Sequence, residues 1–121
     1  MSRFVSAFAR FSPFLISFGV TCTFFINLCA WIFQCGCRSL WAGADIACNV
    51  HTAHGHHCPW CIRGYLGEAI VLALMCAPQF AVAAFTRWNW TTRTMAALAM
   101  FPAGGSVIAL IYGAMDLYWR P

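Results

Sequence analysis

Three long apolar stretches, with no charged residue near their centres, dominate this chain of 121 residues. They cover residues 13–33, 66–85 and 95–115. A helix needs about 20 mostly apolar residues to cross the hydrocarbon core of a bilayer. The pattern therefore predicts an all-α integral membrane protein, with three transmembrane helices in one membrane domain over residues 1–121. The remaining long segment, about residues 34–64, is predicted to be an ordered loop between helices one and two.

The composition agrees with a membrane protein and disfavours other classes. Charged residues make up 8% of the chain and apolar residues 62%, whereas soluble domains are about a quarter charged and half apolar. A soluble enzyme is therefore not expected. The positive charges form no basic patch among aromatic residues, so nucleic acid is not an expected partner. Membrane lipids are expected, together with a larger membrane complex or further copies of the chain, because three short spans offer little internal interface.

The distribution of arginine predicts an orientation in the membrane. Four arginines precede the first span or lie between the second and third, and no acidic residue accompanies them: Arg3, Arg10, Arg87 and Arg93. The other three arginines lie on the opposite side with all three acidic residues. Because the arginine-rich side of a membrane protein is usually cytoplasmic, the N-terminus is predicted in the cytoplasm of a bacterial-type inner membrane. The long loop and the C-terminus are then extracytoplasmic.

Two spans carry small residues at every fourth position, which lets helices approach closely in lipid. In the second span these residues are Ala69, Ala73, Ala77 and Ala81, and in the third they are Gly105, Ala109 and Gly113. The repeat predicts close helix packing, either between these two spans or against a partner chain.

The long loop collects an unusual number of side chains that bind metals. Five of the eight cysteines and all four histidines fall within it: Cys35, Cys37, Cys48, His51, His54, His56, His57, Cys58 and Cys61. Thiolate and imidazole groups are the ligands that zinc and copper prefer. The favoured interpretation is a zinc or copper site built from these residues. Removal of His56 and His57 together is then expected to release the metal.

Structural disulfides are the first alternative for the loop. An extracytoplasmic loop lies in an oxidising compartment, and disulfides would stabilise a segment with little core of its own. Because the loop contains five cysteines, at least one thiol stays unpaired, and the sequence alone does not determine which cysteines pair. Disulfides also give the four histidines no role. Under this interpretation the chain is a structural subunit of a respiratory, photosynthetic or oxygenase complex.

A redox-active thiol pair is the second alternative. Cys58-Pro-Trp-Cys61 directly precedes the second span, and Arg63 follows it. This segment resembles the C-x-x-C at the outer end of the second helix in DsbB-type thiol–quinone oxidoreductases. The resemblance implies a redox pair of Cys58 and Cys61, a quinone cofactor, and Arg63 near that quinone. The chain departs from that family in having three spans instead of four and no cysteine in a second outer loop, so it is not assigned to the family.

The remaining cysteines, Cys22, Cys29 and Cys76, lie within the apolar spans. Cys22 and Cys29 are seven residues apart and share a helix face, so they are able to extend the soft ligands of the loop into the membrane. The favoured interpretation is that all three are small buried apolar side chains.

The function predicted from these features is that of a small membrane subunit or accessory protein. Its loop binds a metal, and it works with a larger membrane complex, with electron transfer as an associated role. The chain is not expected to be an enzyme on its own. Thiol–quinone oxidoreduction and a purely structural role remain the two alternatives.

Overall fold

The computed structural model describes every residue from Met1 to Pro121. It contains three α-helices, α1 (Ser2–Phe33), α2 (Gly64–Phe85) and α3 (Trp90–Met115), and no strand. Single turns of 3-10 helix occur at Leu40–Ala42, Asn49–His51 and Cys61–Arg63. The prediction of an all-α chain is confirmed.

Each of the three helices is long and apolar enough to cross a membrane. Their outer faces carry large apolar side chains, and those of Leu15, Leu74 and Leu110 are about half exposed. Apolar surface on every helix of so small a bundle suits a lipid environment better than water. These features indicate a multi-pass membrane protein.

All three helices begin before the apolar stretches, α2 by two residues and the other two by more. Helix α1 begins at Ser2 and passes through Pro13, and α3 begins at Trp90. The side chain of Asn89 caps α3 by accepting a hydrogen bond of 2.8 Å from the backbone N–H of Thr92, as residues at this position commonly do. The boundaries differ because the predicted spans include only the apolar stretches, whereas α1 and α3 also include the more polar residues that precede those stretches.

The charges predicted on opposite sides of the membrane do lie at opposite ends of the bundle. At one end, Arg10 donates to the carbonyl oxygen of Ala84 at 3.2 Å, and Arg93 donates to the carbonyl oxygen of Arg10 at 2.8 Å. At the other end, Arg63 makes two hydrogen bonds of 2.8 Å to the carboxylate of Asp116. The long loop lies at this second end, next to the start of α2 and the end of α3.

The small residues of α3 pack inside the bundle. Gly105, Ala109 and Gly113 are buried. A Cβ atom on Gly105 would lie 2.3 Å from Cδ2 of Leu28 and 2.8 Å from Cε of Met75, so the absence of a side chain lets the three helices meet closely. The alanine repeat of α2 instead faces outward: Ala69, Ala73, Ala77 and Ala81 are all exposed.

A buried polar contact fixes α1 against α2 in the middle of the bundle. Thr21 and Gln79 are both fully buried, and Gln79 Nε2 donates to Thr21 Oγ1 at 2.8 Å. Hydrogen bonds between membrane helices contribute about 0.6 kcal/mol each on average. The contact contributes little stability, but it fixes the register of the two helices. Sliding one helix along the other would leave the buried side-chain amide of Gln79 without its hydrogen-bond partner.

Candidate metal centre

Six cysteine sulfurs meet at the loop end of the bundle. One comes from α1, four from the loop, and one from the 3-10 turn before α2: Cys29, Cys35, Cys37, Cys48, Cys58 and Cys61. The first five side chains are buried, with Cys58 fully so, and Cys61 is partly exposed. This set is called the thiol cluster below.

The sulfur–sulfur distances are those of metal ligands. Cys29 and Cys58 lie 3.2 Å apart, Cys35 and Cys37 3.4 Å, and Cys37 and Cys61 3.8 Å. Tetrahedral ligands at a zinc–sulfur bond of about 2.3 Å are about 3.8 Å apart. A disulfide requires about 2.05 Å, and all eight cysteines are free thiols. The thiol cluster is therefore close enough to hold a metal, and the disulfides considered as an alternative are not formed.

A reversal of the chain at the end of α1 brings the loop back to the helix. Gln34 adopts the left-handed conformation with φ of 48°, which commonly ends a helix. Cys35 follows and directs its sulfur to within 3.8 Å of Cys29 Sγ, one turn back in α1. Gly36 then continues with φ of +88°, so that Cys35 and Cys37 both face the cluster.

Asn49 connects the separate segments that supply the cysteines. Its backbone N–H donates to the carbonyl oxygen of Cys35 at 2.7 Å. Its side-chain oxygen accepts from the backbone N–H of Cys58 at 2.7 Å, and its amide nitrogen donates to the hydroxyl of Tyr118 at 2.9 Å. Tyr118 in turn donates to the carbonyl oxygen of Phe33 at 2.7 Å. One residue, through its backbone and its side chain, thus joins both halves of the loop to the segment after α3.

Replacing Asn49 with alanine is expected to loosen this arrangement. The Asn49→Ala variant leaves the Cys58 N–H without its partner, and an unpaired buried donor costs about 1–3 kcal/mol. We expect a lower unfolding temperature in detergent and faster alkylation of Cys58. The Asn49→Asp variant keeps the acceptor oxygen, so its unfolding temperature and its alkylation rate should lie between those of the wild-type chain and those of Asn49→Ala. An alkylation rate unchanged in Asn49→Ala would show that Asn49 does not hold Cys58 in place.

The segment from Cys58 to Arg63 is fixed on both sides. Trp60 is fully buried and stacks on Phe25 of α1, with ring centroids 5.2 Å apart and planes 6° apart. Arg63 donates to the carbonyl oxygen of Pro59 and to Asp116, and its guanidinium lies 4.6 Å from the ring centre of Tyr112. The C-x-x-C turn is therefore part of the rigid end of the bundle.

A cavity of about 270 Å³ opens onto one side of the thiol cluster. Its walls include the sulfur-bearing residues Cys29, Cys37 and Cys61, and the acidic residues Asp45 and Glu68. Most of the remaining wall is apolar, and Trp60 belongs to it with an indole N–H that has no hydrogen-bond partner. The cavity gives a cation a path to the sulfurs past two acidic side chains.

A neighbouring thiol prepares three of the loop sulfurs for metal binding. Hydrogen bonding with Cys29 lowers the pKa of Cys35, of Cys37 and of Cys58 below the ordinary value of a thiol. Burial has the opposite effect on Cys48 and raises its pKa to about 12. Because the thiolate is the form that binds metals, Cys35, Cys37 and Cys58 are the sulfurs best prepared in the metal-free chain.

The four histidines of the loop lie outside every group of three mutually close ligand atoms. His51, His54 and His56 are exposed, and His57 Nδ1 lies 2.9 Å from the carbonyl oxygen of Asn49. The structure thus brings the five predicted loop cysteines together, but not the histidines with them. Histidine ligation, and the expected loss of metal on removal of His56 and His57, stay predictions.

Cys29 is the site residue for which the sequence favoured a different role. It was interpreted as a small buried apolar side chain, and the structure instead puts it inside the thiol cluster. Cys22 and Cys76 belong to no such group. The position of Cys29 along α1 could have indicated this role, because it lies one turn before the end of the helix and so at the level of the loop.

No family model, curated protein or solved structure matches this chain.

Proposed function

We propose that this chain is a membrane protein that holds a soft metal ion in the thiol cluster and serves as a metal-binding accessory to a membrane complex. The observation that carries the proposal is the convergence of six cysteine sulfurs, five of them buried, within ligand distance of one another. Thiolate-rich sites select copper(I), zinc and iron–sulfur groups over harder metals. Zinc and copper remain the two candidates at this stage.

Hydrogen bonds within the chain hold the cysteine-bearing segments in place, which supports a preformed metal site. Asn49, Tyr118 and the Arg63–Asp116 pair hold the loop segments through hydrogen bonds of 2.7–2.9 Å. A metal site binds well when its ligands are held by supporting contacts of this kind. The acidic cavity beside Cys61 supplies a path for the ion.

The proposal includes an orientation and a partner. Arginine without acidic neighbours occurs at the end of the bundle away from the thiol cluster, and such residues favour the cytoplasm. The thiol cluster is then extracytoplasmic, in a bacterial-type inner membrane. The outward-facing alanine repeat of α2 and the exposed histidines beside the thiol cluster are the surfaces available to a partner subunit or a second copy.

The test is the metal content of the protein purified anaerobically in mild detergent without chelator. We expect zinc or copper in the wild-type chain and its loss in the double variant Cys58→Ser/Cys61→Ser. The matched control is Cys22→Ser/Cys76→Ser, which also removes two thiols but none from the thiol cluster. A wild-type chain that neither contains nor takes up a soft metal would contradict the proposal.

A second candidate function is thiol–quinone oxidoreduction by Cys58 and Cys61. The observation in its favour is the largely apolar cavity beside Cys61, a suitable surface for a quinone ring. It requires Cys58 and Cys61 to form a disulfide and to pass two electrons to the quinone. Quinone reduction by the dithiol form, absent in Cys58→Ser, would favour this candidate over metal binding.

A further inference from the structure

Four groups of three sulfurs cover the whole thiol cluster. Within each group, all three sulfurs lie within 4.8 Å of one another. The groups are Cys29/Cys35/Cys58, Cys29/Cys37/Cys61, Cys35/Cys37/Cys48 and Cys48/Cys58/Cys61. Three sulfurs arranged in this way suit one metal ion in a trigonal site, and these four groups together use all six sulfurs of the thiol cluster.

The four groups share their sulfurs in a regular pattern. Every cysteine belongs to two groups, and any two groups have one cysteine in common. Six points connected like this form an octahedron, and each of its eight faces is a triple of sulfurs within 4.8 Å of one another. Metal ions on two faces that share an edge would lie too close together, so at most four ions fit, on alternate faces that touch only at corners, such as the four groups named above. Metal ions on these faces would form a tetrahedron in which each thiolate bridges two ions.

The same pattern disfavours a single tetrahedral zinc ion. Such a site needs four sulfurs that are all about 3.8 Å from one another. Three pairs of cysteines share no group, Cys29–Cys48, Cys35–Cys61 and Cys37–Cys58, and any four cysteines of the cluster include at least one of these pairs. The measured sulfur pairs at 3.2–3.8 Å do not distinguish three ligands from four, so it is the pairs that share no group that disfavour a single tetrahedral ion.

We propose that the thiol cluster binds four copper(I) ions as one cluster of four metals and six bridging thiolates. This inference rests on the proposed function and specifies its metal. Copper(I) is soft and is stable with three thiolates, whereas zinc in protein sites takes four ligands. Four Cu⁺ ions replace six thiol protons, so six H⁺ leave, the cluster carries a net charge of −2, and no electron is transferred.

One face of this cluster is accessible from outside. The group Cys29/Cys37/Cys61 lines the cavity of about 270 Å³, and no other cavity has a cysteine in its wall. Copper is therefore expected to enter and leave at this face, between α1 and the start of α2. The other three groups include Cys35, Cys48 or Cys58, which are buried.

The test is an anaerobic titration of the reduced, detergent-solubilised full chain with Cu(I), in competition with a Cu(I) chelator of known affinity. We expect binding to saturate at four copper ions per chain, with the emission of a solvent-shielded copper(I)–thiolate cluster. X-ray absorption should show three sulfur neighbours for each copper and short copper–copper distances. The control Cys22→Ser/Cys76→Ser should saturate at the same ratio.

The outcomes separate this inference from the proposed function. Saturation at one or two copper ions per chain, or a single zinc ion with four sulfur neighbours bound in preference to Cu(I), would overturn the four-copper cluster while leaving a metal-binding protein. Failure to bind either Cu(I) or Zn²⁺ would overturn both. Four bound ions without copper–copper distances would also overturn the cluster, since the sites would then be separate.

Discussion

Substituting Cys29 with serine should reduce the bound copper from four ions per chain to two or fewer. Cys29 is shared by the groups with Cys35/Cys58 and with Cys37/Cys61, so its loss removes a ligand from two of the four sites. Serine has nearly the shape of cysteine, but its hydroxyl is a poor ligand for a soft metal. The measurement is copper per chain after anaerobic loading and removal of excess ion.

The control for this prediction lies on the same helix. Cys22 is in α1, two turns before Cys29, and belongs to no group of close sulfurs. Cys22→Ser should therefore bind as much copper as the wild-type chain. Full copper binding by Cys29→Ser would show that the helix cysteine is not a ligand and that the loop cysteines suffice.

The second large effect is expected at Gly36, between two cysteines of the cluster. Its φ is +88°, and a Cβ atom there would lie 2.5 Å from the carbonyl oxygen of Ala47. A side chain in the left-handed conformation costs about 1–2 kcal/mol, and the collision with a backbone atom adds to this. Gly36→Ala should move Cys35 or Cys37 out of the cluster, lowering both the unfolding temperature and the copper content.

Gly55 provides the matched control, because it separates the strain of the backbone from the collision. It has φ of +101°, and a Cβ atom there would meet nothing within 4 Å. Gly55→Ala therefore carries the conformational strain alone, away from the cysteines, and should keep its copper. If both variants retain copper equally, the close contact at Gly36 does not determine the cluster.

The sequence predicted much of this architecture because its strongest signals are local. The length of an apolar stretch predicts a membrane helix without knowledge of its neighbours, and the end of α2 at Phe85 agrees with that prediction. The loop cysteines were recognised because they are concentrated in one polar segment. Helices α1 and α3 begin before the apolar stretches, because a helix continues beyond the apolar residues that a membrane needs.

The remaining features depend on contacts between distant parts of the chain. The rotation of α1 decides whether the helix face that carries Cys29 is turned toward the loop cysteines, and it depends on packing such as the Thr21–Gln79 contact. Asn49 gave no signal in the sequence, since an asparagine in a polar loop is ordinary. Its importance comes from partners at Cys58 and Tyr118, which only the folded chain brings to it.

The origin of the six sulfurs also sets an order of events during biosynthesis. The first sulfur belongs to Cys29 in α1 and the last to Cys61 at the start of α2, so a ribosome releases the whole loop before the set is complete. A cluster that bridges both ends closes this stretch of chain into a ring, as a metal clip does. Complete loading of the proposed cluster therefore requires the turn before α2 to have reached α1, so a fully loaded chain is one in which this end of the bundle has formed.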